Sequence, residues 1–387
     1  MFADTLTLQW VSDLREEVPD LAIRDVHTHI GSNDPDEFRC SPEELIERLD
    51  LIDGRAAVFP MHEPDGYPPA NDMVLAAARD SGGRLAMFCR LDPEEAPLAE
   101  AERCLEAGAV GIKLHPRAEQ FTLDHPALRD VFALAHERRL PVIVHAGRGI
   151  PALGRHAVDL CAEFPGARVI LAHAGICDLA WVWRPAQELS NLYFDTSWWS
   201  ASDLLALFTL VPPGQILCGS DAPYATPAFG AAMDLRYALQ AGLSADQIRG
   251  VLGGQLERLL AHEEPLDLGP AVGPASLSTD PLLDRVHTFL VSAIGQTLRG
   301  VEPEEVLQLA ALACEVGDDA PQAPVCRAIL SVLEFRDDYE PLAGERPPRF
   351  AKGLQFVVMA AALARTPDVR LPPDPVPADV GERAAPD

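Results

Sequence analysis

Short apolar runs recur along the first two thirds of the chain at the spacing of one strand plus one helix. They begin at positions 23, 56, 85, 110, 141, 169, 192 and 216, so successive runs start 23 to 33 residues apart. Amphipathic stretches fill the intervals, and Ser41-Pro42-Glu43-Glu44 is typical of a helix start, with an N-cap serine followed by proline. This alternation predicts repeated βα units around a parallel sheet.

Eight βα units predict an α/β fold of the (β/α)8 TIM-barrel type. The predicted strands are Ile23–Val26, Ala56–Phe59, Leu85–Phe88, Val110–Lys113, Pro141–Val144, Val169–Ala172, Leu192–Asp195 and Ile216–Gly219. They extend over about 240 residues, a length that suits one barrel. The alternative is an open doubly wound sheet, but no G-x-G-x-x-G motif follows the first strand, so a dinucleotide site lacks support.

The composition changes after His262, where the strand pattern stops. Residues 266–278 are rich in proline and glycine and predict a linker that follows a barrel at 1–265. Apolar residues at helical spacing then predict three or four helices over 279–365, as a C-terminal all-α unit that covers the barrel or makes an oligomer contact. The remainder, 366–387, is rich in proline and charge and predicts a flexible tail.

The charge balance is strongly acidic. Lys+Arg is 31 against Asp+Glu 59, a net charge of -28, and only Lys113 and Lys352 are lysines. Such a surface repels phosphate, so we expect a small-molecule substrate and neither a nucleic-acid nor an anionic-membrane partner.

Targeting and cysteine signals are also weak. The longest apolar run, 356–364, is far shorter than a membrane span, and the N-terminal residues do not resemble a signal peptide, so we expect a cytoplasmic protein. The eight cysteines include no C-x-x-C pair, which disfavours a zinc ribbon or a disulfide framework.

Residues that can bind a metal follow the predicted strands, at the positions where a barrel carries its catalytic groups. They are His27 and His29 after strand one, Lys113 and His115 at strand four, and His145, His173 and Asp221 after strands five, six and eight. In the H-x-H pair the side chains point the same way, because strand residues two apart share a face. Imidazole and carboxylate ligands suit zinc, manganese or iron(II).

The sequence motifs that contain these residues resemble those of the amidohydrolase superfamily of metal-dependent TIM-barrel enzymes, specifically its amidohydrolase-2 group. The similarity covers roughly residues 20 to 262 and rests on Asp25-Val26-His27-Thr28-His29, Gly111-Ile112-Lys113-Leu114-His115-Pro116, Val144-His145-Ala146-Gly147, Leu171-Ala172-His173-Ala174-Gly175 and Gly219-Ser220-Asp221. The resemblance implies that His27, His29 and Asp221 hold one metal ion.

The family then divides into two patterns, and the sequence permits both. In the two-metal pattern Lys113 is carboxylated and bridges both ions, while His145 and His173 bind the second. In the one-metal pattern His145 completes the single site, and His173 is free to polarise a carbonyl. A lysine at this position in a chain that almost always uses arginine is an argument for a carbamate, because only an amine that loses its proton can form one. Contact of Lys113 with an anionic substrate, or a structural contact, is the other interpretation.

The first functional hypothesis is a hydrolase of an amide, lactone or ester bond in a small organic substrate. Metal-activated water attacks, with Asp221 as proton acceptor and donor. A nonoxidative decarboxylase is the alternative, because the resemblance includes such enzymes, and a barrel that serves only as a binding module is the third. The residues expected to bind substrate are His115, Arg90, Arg117 and Arg148. His62, Trp198, Trp199 and Tyr224 are expected either to shape the pocket or to pack in the core.

Overall fold

The computed structural model describes residues 4–277, 279–338 and 353–372. Its strands are β1 (Arg24–Ile30), β2 (Arg55–Pro60), β3 (Leu85–Arg90), β4 (Gly111–Leu114), β5 (Pro141–Val144), β6 (Arg168–Leu171), β7 (Leu192–Asp195) and β8 (Ile216–Leu217). The helices of the first 241 residues are α1 (Asp4–Arg15), α2 (Pro42–Asp50), α3 (Pro68–Asp80), α4 (Pro97–Ala107), α5 (Leu128–Arg138), α6 (Leu153–Glu163), α7 (Leu179–Ala186), α8 (Ala201–Leu210) and α9 (Pro227–Ala241). The later helices are α10 (Ala245–Arg249), α11 (Gln255–Leu260), α12 (Pro281–Thr297), α13 (Glu304–Ala313), α14 (Ala323–Asp338) and α15 (Leu354–Arg365).

The eight strands form one parallel sheet in chain order, β1 to β8. Single backbone contacts bring its two edges together: the Val26 N–H donates to the Cys218 carbonyl at 2.8 Å, and the His29 N–H donates to the Ala222 carbonyl at 2.7 Å. The predicted (β/α)8 barrel is therefore confirmed, with the two edges joined just beyond β8. The first strand runs four residues farther than predicted, to Ile30, so His27 and His29 lie within β1.

The strands carry apolar side chains on both faces, one layer inside the barrel and one between the barrel and its helices. Strand residues that face outward pack against the helices, while an inner cluster includes Phe59, Phe88, Ile143 and Ile170, with Leu256 of α11 packed against it. This division follows from the alternation of side chains along each strand. The same alternation places Ile143 and His145, two residues apart, on the inner face of the barrel. The apolar interior is therefore continuous with the polar mouth.

Four described helices, α12 to α15, follow the linker and confirm the predicted all-α extension. Helix α15 is buried from Phe356 to Ala364 and contacts α12 and α14 as well as the barrel helices α8 and α9. The sequence did not predict α1, which packs on α9. Within the described residues no helix has the length and apolarity needed to cross a membrane.

The predicted tail begins in packed structure. Thr366 is fully buried, and its hydroxyl and carbonyl oxygens accept hydrogen bonds from the buried Arg236 guanidinium of α9 at 2.8 and 3.1 Å. Val369 is also buried. Residues 373–387 of the predicted tail lie outside the described residues.

Candidate active site

Three predicted ligands converge at the carboxyl ends of the strands. The Nε2 atoms of His27 and His29 each lie 3.1 Å from Asp221 Oδ1, and the three donor atoms all lie within 4.8 Å of one another. Over the part of the chain that the structure describes, no other His, Cys, Asp or Glu residues form such a group of three. These residues could hold one metal ion.

Backbone geometry near β1 and β8 brings these ligands together. The β1–β2 register shifts between Asp25 and Thr28. The buried Asp25 carboxylate accepts hydrogen bonds from the His27 N–H at 2.9 Å and the Ser220 N–H at 3.0 Å, and so ties the two chain segments to each other. Burial raises the pKa of Asp25 to about 6. Asp221 itself has a φ of 59°, a left-handed conformation that is uncommon outside glycine and typical of functional sites.

Neighbouring groups orient both imidazoles. Asp195 Oδ2 accepts a hydrogen bond from His27 Nδ1 at 2.7 Å, and the Pro60 carbonyl lies 3.5 Å from His29 Nδ1. The Ser197 hydroxyl donates to the other Asp195 oxygen at 2.6 Å. Metal-binding histidines usually have their second nitrogen held in this way, so the two Nε2 atoms are presented as ligands.

The protonation tendencies of His29 and Asp221 also fit a metal site. Burial lowers the pKa of His29 to about 3, so its imidazole is neutral at pH 7. Burial opposes ionisation of Asp221, but the facing His27 and His29 outweigh it and hold the pKa of Asp221 well below its usual value. For His27 burial likewise opposes protonation, and Asp221 and Asp195 outweigh it and raise the pKa. Two imidazoles and a carboxylate with these partners are a donor set that fits a divalent metal.

Lys113 lies fully buried beside this cluster. Its Nζ is 3.2 Å from His27 Nε2 and 4.4 Å from the centroid of the Phe59 ring. Burial lowers the pKa of Lys113 to about 7, so the neutral amine is well populated near neutral pH. The preceding glycine of the same strand face, Gly111, has no room for a side chain, since a Cβ there would lie 2.7 Å from the Phe88 ring.

His145 and His173 form a second contact at the same mouth. His173 Nε2 lies 2.9 Å from His145 Nδ1, and the Ser197 carbonyl lies 2.8 Å from His173 Nδ1. Because a carbonyl only accepts, His173 Nδ1 carries the proton, and burial lowers the pKa of His173, so Nε2 presents a lone pair. A neutral His173 in this tautomer suits a ligand or proton acceptor better than a donor to a carbonyl.

Packing fixes His145 further. Its ring stacks on His115, with centroids 3.9 Å apart and planes at 11°. Its Nε2 has no hydrogen-bond partner within the described structure. A Cβ at Gly147 would lie 2.7 Å from that nitrogen, which explains the glycine of the Val144-His145-Ala146-Gly147 motif.

The three predicted substrate arginines have different surroundings. Arg117 and Arg148 are exposed and line a cleft of about 440 Å³ that also contains His145, His173 and Asp221. Arg148 lies over Trp198 and Trp199, with its guanidinium carbon 5.4 and 5.9 Å from the ring centroids.

Arg90, by contrast, is 2% exposed and donates to Glu119 Oε1 at 2.7 Å, so its charge is paired inside the protein. His62 Nδ1 lies 3.9 Å from the same Glu119 oxygen, and Tyr224 lines the cleft with its hydroxyl donating to Asp34 at 2.5 Å.

Asp195, Ser197 and Glu119 were not predicted as site residues. Asp195 carried a detectable signal, because it is the last residue of a predicted strand, the same kind of position that identified the ligands. Glu119 and Ser197 lie in loops, where no comparable sequence pattern marks them.

The amidohydrolase family profile matches residues 25–260, which is more than half of the chain and includes all three candidate ligands. The chain belongs to the amidohydrolase family. Members of this superfamily use divalent metals, in agreement with the donor set of His27, His29 and Asp221. Comparison of this amidohydrolase with curated proteins gave no match.

Solved structures share its fold at low sequence identity. An uncharacterised TIM-barrel protein, Bb4693 from Bordetella bronchiseptica, has a TM-score of 0.51 at 17% identity and covers 62% of this chain and 99% of its own. The 5-carboxyvanillate decarboxylase LigW from Sphingomonas paucimobilis has a TM-score of 0.51 at 15% identity, with 62% and 99% coverage. A 2,6-dihydroxybenzoate decarboxylase has a TM-score of 0.50 at 15% identity, with 62% and 98% coverage. These likenesses establish the barrel fold.

Proposed function

We propose that this amidohydrolase is a metal-dependent hydrolase of an amide, lactone or ester bond in a small organic anion. The observation that carries the proposal is the convergence of His27, His29 and Asp221, since Asp221 also lines a cleft that contains two arginines. Zinc is the first candidate metal, with manganese and iron(II) as alternatives. A divalent ion held by these residues would supply Lewis-acid activation of water or of a substrate oxygen.

The chain's own groups then handle protons and orientation. Asp221 is ionised and lines the cleft, so it can accept the proton that the attacking water loses as its oxygen bonds to the carbonyl carbon. The same carboxyl returns that proton to the nitrogen or oxygen that leaves when the scissile bond breaks. Asp195 holds His27 in one tautomer throughout, and Ser197 does the same for His173 through its carbonyl oxygen.

Lys113 supports hydrolysis over other reactions. Its buried, readily deprotonated amine lies beside His27 and can form a carbamate with carbon dioxide. The carbamate would add a carboxylate ligand to the site, and His145 and His173 could then help to hold a second metal ion. We propose this two-ion arrangement first and a single ion at His27, His29 and Asp221 second. Carbon-13 NMR of protein incubated with labelled bicarbonate would test it: a carbamate signal that the Lys113→Met variant lacks is expected, and no signal in the wild type would overturn it.

The cleft arginines indicate the charge of the substrate. Arg117 and Arg148 are exposed in the cleft of a chain whose net charge is -28, and a cationic pair there can bind a carboxylate. The packing of Arg148 on two tryptophans orders its guanidinium. We therefore propose that these two arginines, together with His115, which stacks on His145, bind the substrate, whereas Arg90 pairs with Glu119.

Decarboxylation is the second candidate, and the same arginines support it. A carboxylate bound by Arg117 or Arg148 would then be the group that leaves, and two solved structures with this fold are decarboxylases of aromatic acids. Hydrolysis adds water and its products retain all carbon, whereas decarboxylation releases carbon dioxide, so the products separate the two.

Metal content and product analysis test the proposal together. Wild-type protein purified without added metal is analysed for zinc, manganese and iron, beside Asp221→Asn and the control Asp246→Asn, whose carboxylate is on the surface. We expect metal in wild type and control and a marked loss in Asp221→Asn. Protein that stays empty when offered all three metals would overturn both reactions.

Lactones, amides and aromatic carboxylic acids are then screened with the loaded protein. Carbon dioxide release without hydrolysis would replace the first candidate with the second.

A further inference from the structure

The barrel does not build the cleft alone. Leu298, the C-cap residue that directly follows α12, lines the same cleft as His145, His173 and Asp221. The family match ends at residue 260, and α12 begins at Pro281, so Leu298 comes from an extension outside the matched region. One side chain of the cleft wall is therefore an addition to the barrel.

The extension is held firmly against the barrel. Helix α15 packs on α8 and α9 and also on α12, which carries Leu298 at its end. Beyond α15 the chain is tied back to α9, because the Arg236 guanidinium donates to the carbonyl oxygens of Thr366 and Arg370 at 3.1 and 2.9 Å. With this support Leu298 packs against the hydrophobic core beside the cleft.

The neighbours of Leu298 in the cleft include a large apolar group. Phe229 and Met233 of α9 line the cleft, and so do Trp198 and Trp199, which precede α8. The same cleft contains the cationic Arg117 and Arg148. A ligand that combines an anionic group with an apolar body can therefore contact both the arginines and the apolar side chains.

We propose that Leu298 is a specificity-determining residue, through which the helical extension selects carboxylates that carry a bulky apolar group. The proposal deepens the proposed function, on which it rests for the anionic substrate. Leu298 touches the part of the ligand remote from the reacting bond, so it sets which carboxylate is held and leaves the metal cluster unchanged.

Ligand binding tests the inference without turnover. Acetate, benzoate and naphthoate are titrated into wild type, Leu298→Ala and Leu282→Ala, with Kd measured by tryptophan fluorescence, since Trp198 and Trp199 line the cleft. Leu282 is the matched control, because it lies in α12, the helix that Leu298 caps, with 46% of its surface exposed. Thermal unfolding of each variant verifies that it is folded.

We expect wild type to bind naphthoate more tightly than acetate, and Leu298→Ala to reduce that preference about five-fold or more through lost apolar contact. Leu282→Ala should retain the wild-type ratio. A ratio that Leu298→Ala leaves unchanged, or a wild type with no preference, overturns the inference.

Arg148→Gln separates this inference from the proposed function. If it weakens all three ligands equally, the cleft binds the carboxylate as proposed. If it weakens the binding of none, the proposal of an anionic substrate is wrong. The ratio of the Kd values for acetate and naphthoate in wild type and Leu298→Ala still decides the role of Leu298.

Discussion

The buried ion pair of Arg90 and Glu119 should contribute far more to stability than the surface ion pairs of this chain. Both side chains are 2% exposed, and their closest atoms are 2.7 Å apart. Glu119 Oε1 also accepts from the Tyr67 hydroxyl at 2.5 Å, and Arg90 donates a second bond to the Pro60 carbonyl at 3.2 Å. The substitution Glu119→Gln removes the negative charge and leaves the guanidinium in place.

The magnitude follows from the two hydrogen bonds that Glu119 Oε1 accepts. Hydrogen bonds to charged groups contribute about 1.5–3 kcal/mol each, and breaking a buried pair from one side costs about 3–5 kcal/mol. We therefore expect Glu119→Gln to lower the free energy of unfolding by about 3 kcal/mol or more. Urea unfolding followed by circular dichroism measures this value. Arg90→Met combined with Glu119→Gln should cost less than the sum of the single changes, because no charge is then left unpaired.

An exposed pair of equal length provides the control. Arg103 and Asp72 are also 2.7 Å apart, with 42% and 61% of their side chains exposed. Asp72→Asn should cost no more than about 1 kcal/mol, because water screens the charges and replaces the bond. If Glu119→Gln destabilises the protein no more than Asp72→Asn does, the reasoning from burial is refuted.

Three further predictions concern the site and its support. Asp195→Asn should weaken zinc binding about 10- to 100-fold in a competition titration, because the amide cannot hold His27 as the carboxylate does; unchanged affinity would contradict the orienting role. In chelator-treated protein, Lys113 should raise the free energy of unfolding by about 2 kcal/mol between pH 7 and pH 9. Its pKa is about 7 in the folded protein and about 10.4 in the unfolded chain, so in this pH range only the unfolded chain keeps the proton, and the folded state gains stability as the pH rises. Lys113→Met should lack this gain, and equal pH profiles would disprove it. Arg236→Met should make the chain after α15 sensitive to limited proteolysis, since Thr366 loses the hydrogen bonds that it accepts from Arg236. Mass spectrometry of the proteolytic fragments checks this, and the same fragment pattern in wild type and variant would contradict it.

Much of the fold was predictable because a strand in a parallel barrel is apolar on both faces. Runs such as Pro141–Val144 and Leu192–Asp195 match the observed strands residue for residue. The extension of β1 to Ile30 was not predicted, because polar His27, Thr28 and His29 interrupt the apolar pattern although all three are buried. Burial of polar residues at a site hides a strand from a hydrophobic pattern.

The ligand cluster was predictable for a different reason: the barrel assigns every strand end to one mouth, so His27, His29 and Asp221 had to meet if the barrel formed. The barrel rule predicts at which mouth of the barrel a side chain lies, but it does not predict which group pairs with that side chain. Arg90 ends β3 at the same mouth as the ligands, yet it pairs with Glu119, 29 residues farther along in a loop. A buried charge requires a partner, and the partner comes from whichever loop folds over it. The position of Arg90 was thus available from the sequence, whereas its role depended on the loop that carries Glu119.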